Sequence, residues 1–147
     1  MSGPPPKNVT DGESAAIFTA MKTIVVLGAS AKPDRYSFMA MERLREHGYR
    51  AVPVNPSVRK ILGERCHASI RDVGGPIDTV TVYLSEAHST PLIEDIIQAT
   101  PHRIIFNPGA ENPRLAKAAE AAGISVIHGC TLVMLQAGTF AEGSAQS

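Results

Sequence analysis

The sequence predicts an α/β fold of the doubly wound type, in which a mainly parallel five-stranded sheet carries helices on both faces. Five short apolar runs rich in branched residues recur along the chain, and helical patterns lie between most of them. The runs are continuously apolar rather than alternating, which is typical of strands buried on both faces. Strands that alternate with helices in this order form parallel sheets with right-handed crossovers.

The predicted strands are spread over the whole central part of the chain. They comprise residues 23–27, 51–54, 79–84, 103–106 and 125–127. The segment 55–77 has no long helical pattern, because prolines and glycines interrupt it. Ligands of doubly wound sheets bind past the carboxyl ends of the strands, so the residues after each run are the candidates for a binding site.

Three helices are predicted from apolar periodicity and from start and stop signals. In the first, apolar residues recur from Phe38 to Leu44, with Ser37 as the expected N-cap and Gly48 as the stop. Thr90-Pro91 opens the second helix, which carries three isoleucines on one face. The third begins at Asn112-Pro113 and ends at Gly123. Proline directly after a capping residue is a strong start signal.

The two ends of the chain have the composition of tails. The start, MSGPPPKNVTDGES, has three consecutive prolines, and the last ten residues are mostly small and polar. We therefore expect a flexible arm over 1–21, a folded domain over 22–136 and a flexible tail over 137–147. The start lacks the order of a secretory signal, and no apolar run approaches the ~18 residues of a membrane span, so a cytoplasmic protein without membrane contact is expected.

Composition excludes several classes of function. The 147 residues hold 14 Lys+Arg and 14 Asp+Glu, with no Trp and only seven Phe and Tyr, which disfavours nucleic-acid binding. Two cysteines are too few for a disulfide framework, and neither has a second cysteine at metal-ligand spacing, so no metal site is expected. The charges are unevenly distributed: residues 22–71 carry +6 and residues 72–135 carry −4. This contrast points to an anionic ligand on the basic half.

The loop after the first strand, GASAKPDRYS, is a candidate phosphate site. It joins a strand to a helix, where backbone N–H groups and the helix dipole attract anions, and Lys32 and Arg35 add positive charge. It holds one glycine, Gly28, so it matches the three-glycine dinucleotide fingerprint only weakly. An ordinary strand-to-helix turn with solvated charges is the alternative.

The end of the second strand restricts the nucleotide. An NAD-type site places Asp or Glu there to bind the ribose hydroxyls, whereas this chain has Asn55-Pro56, followed by Arg59 and Lys60. Two cations favour a ribose that carries a phosphate, as in NADP or coenzyme A. The alternative is a basic loop whose two cations are only solvated and bind no ligand.

No catalytic arrangement is evident in the remaining loops. Five scattered histidines form no triad, zinc motif or other known pattern. Glu111 is the best acid near the sheet edge, yet an acid at that point commonly only complements a helix dipole. Cys130 follows the fifth strand and is either a buried small residue or a reactive thiol. Whether the protein is an enzyme stays open, and the residues favour binding without catalysis.

In combination, these segments resemble a known family. The order IVVLGAS, HGY, VPVNP, ILG and SIRDV over 24–73 is similar to that of the small stand-alone CoA-binding proteins of the YccU type, and to the CoA-binding domain that opens the alpha subunit of succinate–CoA ligase. The resemblance extends over residues 22–135 and implies a Rossmann-like domain that binds coenzyme A. Ligase chemistry is not implied, because the ligase subunit carries its phosphorylated histidine in a later domain that this chain lacks.

The resemblance also implies which residues bind each part of the ligand. Those expected at the diphosphate are Gly28, Ala29, Ser30, Lys32, Pro33, Arg35 and Ser37. Those expected beside the adenine and the phosphorylated ribose are Val54, Asn55, Pro56 and Lys60. Those expected along the pantetheine arm are Leu84, Ser85, Asn107, Gly109 and Cys130.

Three functions are consistent with these observations. The first is a stand-alone module that binds coenzyme A or an acyl-CoA without catalysis. The second is a small NAD(P)-dependent oxidoreductase, for which the chain has little room for a substrate domain. The third is a CoA-sensing regulatory subunit that contacts a protein partner or forms a homo-oligomer.

Overall fold

A computed structural model describes residues 21–143 of the chain. The predicted arm therefore lies outside the described residues except for Met21, as do residues 144–147 of the predicted tail. The strands are β1 (Thr23–Leu27), β2 (Arg50–Val54), β3 (Lys60–Ile61), β4 (Glu64–Arg65), β5 (Thr79–Val82), β6 (Arg103–Phe106) and β7 (Ser125–His128). The α-helices are α1 (Tyr36–Glu46), α2 (Glu86–Ser89), α3 (Ile93–Gln98), α4 (Pro113–Ala121) and α5 (Thr131–Ala137). Short 3-10 helices span Ile70–Asp72, Thr90–Leu92 and Phe140–Gly143.

Five of the strands form one parallel sheet in the order β2-β1-β5-β6-β7, which confirms the predicted fold class. The chain moves outward from β1 to β2, then returns past β1 to β5 and continues through β6 to β7. The strand order thus reverses between β1 and β5. Loops that leave neighbouring strands in opposite directions open a crevice at such a point, and this is where doubly wound sheets bind their ligands.

Each face of the sheet is covered by different helices. On the α3/α4 face, Val25, Val80 and Ile104 pack with residues of α3 and α4. On the α1/α5 face, Ile24, Val26 and Ile105 pack with Met41, Leu44 and Leu135 of α1 and α5. Every residue of β1, β5 and β6 is buried, as the continuously apolar runs predicted.

Two predicted helix starts are wrong. Ser37 is buried inside the first turn of α1, and the N-cap is Arg35, which makes no side-chain capping bond. The second helical segment begins at Glu86, before Thr90-Pro91. Thr90 donates its hydroxyl to the Glu86 carbonyl at 2.8 Å, so it continues the helical segment instead of opening it. Proline lacks an N–H group, and at Pro91 the chain changes to a 3-10 turn before α3.

The third predicted helix is confirmed at both ends. The Asn112 side-chain oxygen accepts hydrogen bonds from the backbone N–H groups of Arg114 and Leu115, each at 3.1 Å. Pro113 is the first residue of α4, where its missing N–H group costs nothing. Gly123 follows the helix with φ 81°, a conformation that favours glycine.

Residues beyond 136 also pack against the sheet and its helices. Phe140 is only 2% exposed and packs against Tyr49, with 5.1 Å between ring centroids. The Arg103 guanidinium lies 4.4 Å from the centroid of the same ring. One aromatic side chain therefore anchors residues 138–143 to the α1/α5 face.

None of the helices within residues 21–143 combines the length and the apolarity needed to cross a membrane.

Candidate functional site

A cleft of about 250 Å³ lies at the carboxyl edge of the sheet, at the reversal of strand order between β1 and β5. We call it the ligand cleft. It is lined by Gly28, Ser30, Arg35, Tyr36, Ser37, Tyr83, Pro108, Gly109 and Ala110. Loops after β1, β5 and β6 therefore meet here, as the topology of a doubly wound sheet requires. Five predicted site residues line this cleft, namely Gly28, Ser30, Arg35, Ser37 and Gly109.

Gly28 is the residue that lets the first loop approach β5. Its φ is 88°, and a Cβ atom placed on it would lie 2.8 Å from Leu84 Cδ2. Its N–H group donates to the Val54 carbonyl at 3.0 Å, which holds the turn against the end of β2. Only glycine combines this backbone conformation with this contact, so Gly28 shapes the wall of the cleft.

The rest of the first loop is open and positively charged. The Ser30 hydroxyl accepts a hydrogen bond from the backbone N–H of Lys32 at 3.1 Å. Lys32, Pro33 and Arg35 are exposed, and no side chain caps the start of α1. This end of α1 therefore presents its first-turn backbone to the cleft beside two cations, an arrangement that suits an anion.

Asn55 connects the first loop to the end of β2. Its side-chain NH₂ donates to the Ala29 carbonyl at 2.7 Å, and its side-chain oxygen accepts from the backbone N–H of Ser57 at 2.8 Å. Both ends of the amide are therefore used within the protein. Ala29 and Val54 are buried, whereas Pro56 and Lys60 are exposed beyond Asn55.

Glu111 has a local role that differs from the helix-dipole interpretation. Both of its carboxylate oxygens accept a hydrogen bond from the backbone N–H of Gly109, at 3.1 and 3.2 Å. The cap of α4 is provided by Asn112 instead. Glu111 thus stabilises the loop after β6, in which Gly109 has φ 89° and lines the cleft.

Asn107 is a buried bracing residue at the end of β6. Its NH₂ group donates to the Thr81 hydroxyl at 2.7 Å and to the Val82 carbonyl at 2.9 Å. Its side-chain oxygen accepts from the backbone N–H of Thr131 at 2.9 Å, and the Thr81 and Thr131 hydroxyls lie 2.8 Å apart. Both amide hydrogens are occupied, so the side chain holds β5, β6 and α5 in register below the cleft.

Tyr83 is a cleft residue that sequence reasoning missed, because it was assigned to the interior of a strand. β5 ends at Val82, and the Tyr83 ring lines the cleft. Its hydroxyl is buried without a hydrogen-bond partner among residues 21–143. Burial raises the pKa of Tyr83 to about 12, while the nearby hydroxyls of Thr81 and Thr131 act in the opposite direction. The phenol therefore stays protonated at neutral pH.

The two cysteines differ in accessibility. Cys66 is buried, its thiol donates to the Asn55 carbonyl at 3.6 Å, and burial raises the pKa of that thiol. Cys130 is partly exposed at the N-cap of α5, near enough to Tyr83 to influence its pKa. Three predicted site residues follow strands of the sheet along the chain but do not line the cleft, namely Leu84, Ser85 and Cys130.

The cations around the cleft are free to meet a ligand. Within residues 21–143, the one ion pair is Arg43 with Glu46, at 3.2 Å on the exposed side of α1. Lys32, Arg35 and Lys60 thus have no carboxylate within ion-pair distance in the described part of the chain. Exposed cations that no carboxylate neutralises leave this edge attractive to phosphate groups.

A family comparison agrees with this geometry. The sequence model of the CoA binding domain matches residues 22–136, which include every predicted site residue and every strand of the sheet. The chain belongs to the CoA binding domain family. The CoA binding domain thus ends one residue before the end of α5, and Phe140 packs onto it from outside the matched segment.

Individual proteins show the same similarity. The Bacillus subtilis protein YneT is 32% identical over 92 residues, which cover 63% of this chain and 68% of YneT. A crystal structure with 40% sequence identity superposes with a TM-score of 0.78 and covers 82% of this chain and 99% of its own.

A larger protein shares the fold alone. The dinucleotide-forming acetyl-coenzyme A synthetase 1 of Ca. Korarchaeum cryptofilum, solved with phosphate and ADP, has 21% identity and a TM-score of 0.63. The match covers 71% of this chain but only 25% of the synthetase. The CoA binding domain described here therefore corresponds in fold to one part of a much longer chain.

Proposed function

We propose that the protein binds coenzyme A or an acyl-CoA as a stand-alone nucleotide-binding module in the cytoplasm, without chemistry of its own. The observation that carries this proposal is the close approach of Gly28 to Leu84. It brings the uncapped start of α1 and two free cations to the point where the strand order reverses. Membership of the CoA binding domain family supports the same ligand.

The diphosphate is assigned to the first loop. Ser30 and Ser37 line the ligand cleft, and Arg35 stands at its mouth. A diphosphate here would accept hydrogen bonds from first-turn N–H groups of α1 and would be neutralised by Arg35 and Lys32. Gly28 and Pro33 would shape the loop without contributing a charge.

The adenosine is assigned to the end of β2, where Val54, Pro56 and Lys60 are available beside Asn55. Asn55 would hold the loop in place instead of contacting the ligand, because its side-chain amide already forms hydrogen bonds with the backbone of Ala29 and Ser57. This commitment disfavours the oxidoreductase alternative, since an NAD site requires a free acidic acceptor for the ribose hydroxyls at this point.

The pantetheine arm is assigned to the loops after β5 and β6. Leu84 and Gly109 border its path toward Cys130, with Ser85 on the exposed side. Asn107 supports these loops from below through Thr81 and Thr131, instead of contacting the ligand with its NH₂ group.

Thermal unfolding in the presence of candidate ligands tests the proposal. CoA and acetyl-CoA are expected to raise the unfolding temperature in a concentration-dependent way, because they bind only the folded chain. NADP, NAD and FMN serve as matched nucleotides. Stabilisation by NADP but not by CoA would replace this proposal with the oxidoreductase alternative.

A further inference from the structure

The small hairpin beyond β2 contains two unfavourable features within six residues. β3 and β4 pair antiparallel, with Lys60 directly opposite Arg65 and Ile61 opposite Glu64. Side chains directly opposite each other have Cβ atoms about 5 Å apart, and like charges at such positions destabilise a hairpin. Both cations are exposed, and neither has an ion-pair partner within residues 21–143.

The single acid of the hairpin does not offset this repulsion. Side chains alternate between the two faces of a strand, so Glu64 lies on the same face as Ile61 and away from Lys60 and Arg65. Ile61 is buried at 2% exposure in the core of the α1/α5 face, which identifies that side as the inner one. Lys60 and Arg65 therefore share the outer face with no carboxylate between them.

The turn that joins the two strands is also strained. Leu62 has φ 51° and Gly63 has φ 79°, the pattern of a two-residue turn with both residues left-handed. A bulky residue such as leucine is rarely found there. The turn is nevertheless held in place, because Arg45 of α1 donates to the Leu62 carbonyl at 2.8 Å. Strain that persists in a well-anchored segment often marks a functional site.

Contacts at its base place the hairpin beside the proposed adenosine position. The backbone N–H of Cys66 donates to the Arg59 carbonyl at 2.8 Å, and the backbone N–H of Asn55 donates to the His67 carbonyl at 2.9 Å. Asn55 in turn contacts the first loop through Ala29. Lys60 and Arg65 each lie one residue further into the hairpin than Arg59 and Cys66, which form the bond at its base.

We propose that Arg65, together with Lys60, forms a clamp for a phosphate monoester on the ribose of the ligand. A monoester carries nearly two negative charges at pH 7 and three acceptor oxygens, which matches two adjacent cations better than the single charge of a diester oxygen does. The clamp would select CoA over nucleotides that lack this phosphate. This inference rests on the proposed function and adds Arg65, which the family resemblance did not assign.

Calorimetric titration of the full chain with CoA and with dephospho-CoA, which lacks the ribose phosphate, tests the clamp. We expect Arg65→Gln to weaken CoA binding about tenfold, as for the loss of one charge-assisted hydrogen bond, while dephospho-CoA binding stays unchanged. Arg65→Lys should recover part of the affinity. Lys117→Gln removes an exposed cation from α4 on the other face and should change neither affinity.

The outcomes separate the two proposals. If the unaltered chain binds CoA but Arg65→Gln weakens both ligands equally or neither, the clamp is wrong and the proposed function stands. If the unaltered chain binds neither ligand, the proposed function fails and the clamp fails with it. A second readout guards against misfolding: the ligand-free Arg65→Gln variant should unfold at the same temperature as the unaltered chain or higher, because the repulsion from Lys60 is removed.

Discussion

The two faces of the central sheet differ in chemistry although both are buried. The residues that β1, β5 and β6 turn toward the α3/α4 face are apolar, among them Val25, Val80 and Ile104. The α1/α5 face includes a row of buried or partly buried polar side chains along and just past β5 and β6, namely Thr79, Thr81, Tyr83, Arg103 and Asn107. One face therefore contributes mainly hydrophobic stabilisation, whereas the other also contributes directional bonds that hold the loops of the ligand cleft.

The polar side chains have different roles at the two ends of this row. At the carboxyl edge, Asn107 and Thr81 form a fully bonded network below the cleft. At the opposite edge, Arg103 donates its Nε–H to the Thr79 hydroxyl at 2.7 Å. Its two terminal nitrogens have no hydrogen-bond partner within the described part of the chain. Burial lowers the pKa of Arg103, and the Phe140 ring covers the cation.

The largest expected effect is on the apolar face. Leu115→Ala in α4 removes a fully buried side chain and should lower the free energy of unfolding by about 2–5 kcal/mol, measured by chemical denaturation. CoA affinity of the folded fraction should not change, because Leu115 does not line the cleft. A large loss of affinity at equal folded concentration would show that the two faces are not independent.

Asn107→Ala tests the polar face. The substitution leaves the Thr131 N–H without its partner and removes one of the hydrogen bonds that the Val82 carbonyl accepts, which should cost about 1–3 kcal/mol of unfolding free energy. Unlike Leu115→Ala, it should also weaken CoA binding, because the loops after β5 and β6 lose their common brace. Unaltered affinity in titration calorimetry would argue that the network serves stability alone.

Gly28→Ala and Gly48→Ala form a matched pair. Both residues have a left-handed φ, 88° and 86°, so alanine should cost each variant about 1–2 kcal/mol of stability. An added Cβ would press on Leu84 at Gly28 but meets nothing within 4 Å at Gly48. Only Gly28→Ala should therefore impair CoA binding. Equal affinities of the two variants would remove Gly28 from the site.

The Tyr83 hydroxyl gives the polar face a pH dependence. Its pKa is raised to about 12 from 10.0, so the unfolded chain loses the proton before the folded chain does. Stability from this group is thus complete below about pH 10 and falls as the pH rises toward 12. Tyr83→Phe should flatten this decline in unfolding temperature. An identical decline in the variant would assign it to other groups.

The smallest expected effect is chemical and concerns Cys130. In the presence of CoA disulfide, the Cys130 thiolate is expected to attack one sulfur, forming a mixed disulfide and releasing one CoA thiolate. Intact-mass spectrometry should show an adduct that Cys130→Ser abolishes. An adduct on Cys66, which is buried in the core of the α1/α5 face, would contradict the assigned path of the pantetheine arm.

Local sequence signals predicted most of the elements. The apolar runs located all five strands of the main sheet, and Asn112-Pro113 located the start of α4, because these signals depend on neighbouring residues. Thr90-Pro91 was misleading, since a threonine-proline pair can also continue a helix that began earlier. The packing of Phe140 could not be predicted, because its partners Tyr49 and Arg103 lie far away in sequence.

By itself, the sequence determined the fold class, the loops that hold the candidate site and the basic character of the half that carries it. Those properties follow from periodicity and composition along the chain. Only the tertiary structure decided the strand order, the inclusion of Tyr83 in the cleft, the bracing role of Asn107 and the opposition of Lys60 and Arg65. Each depends on which side chains meet across strands, and pairing between segments distant in sequence is decided by packing of the whole chain.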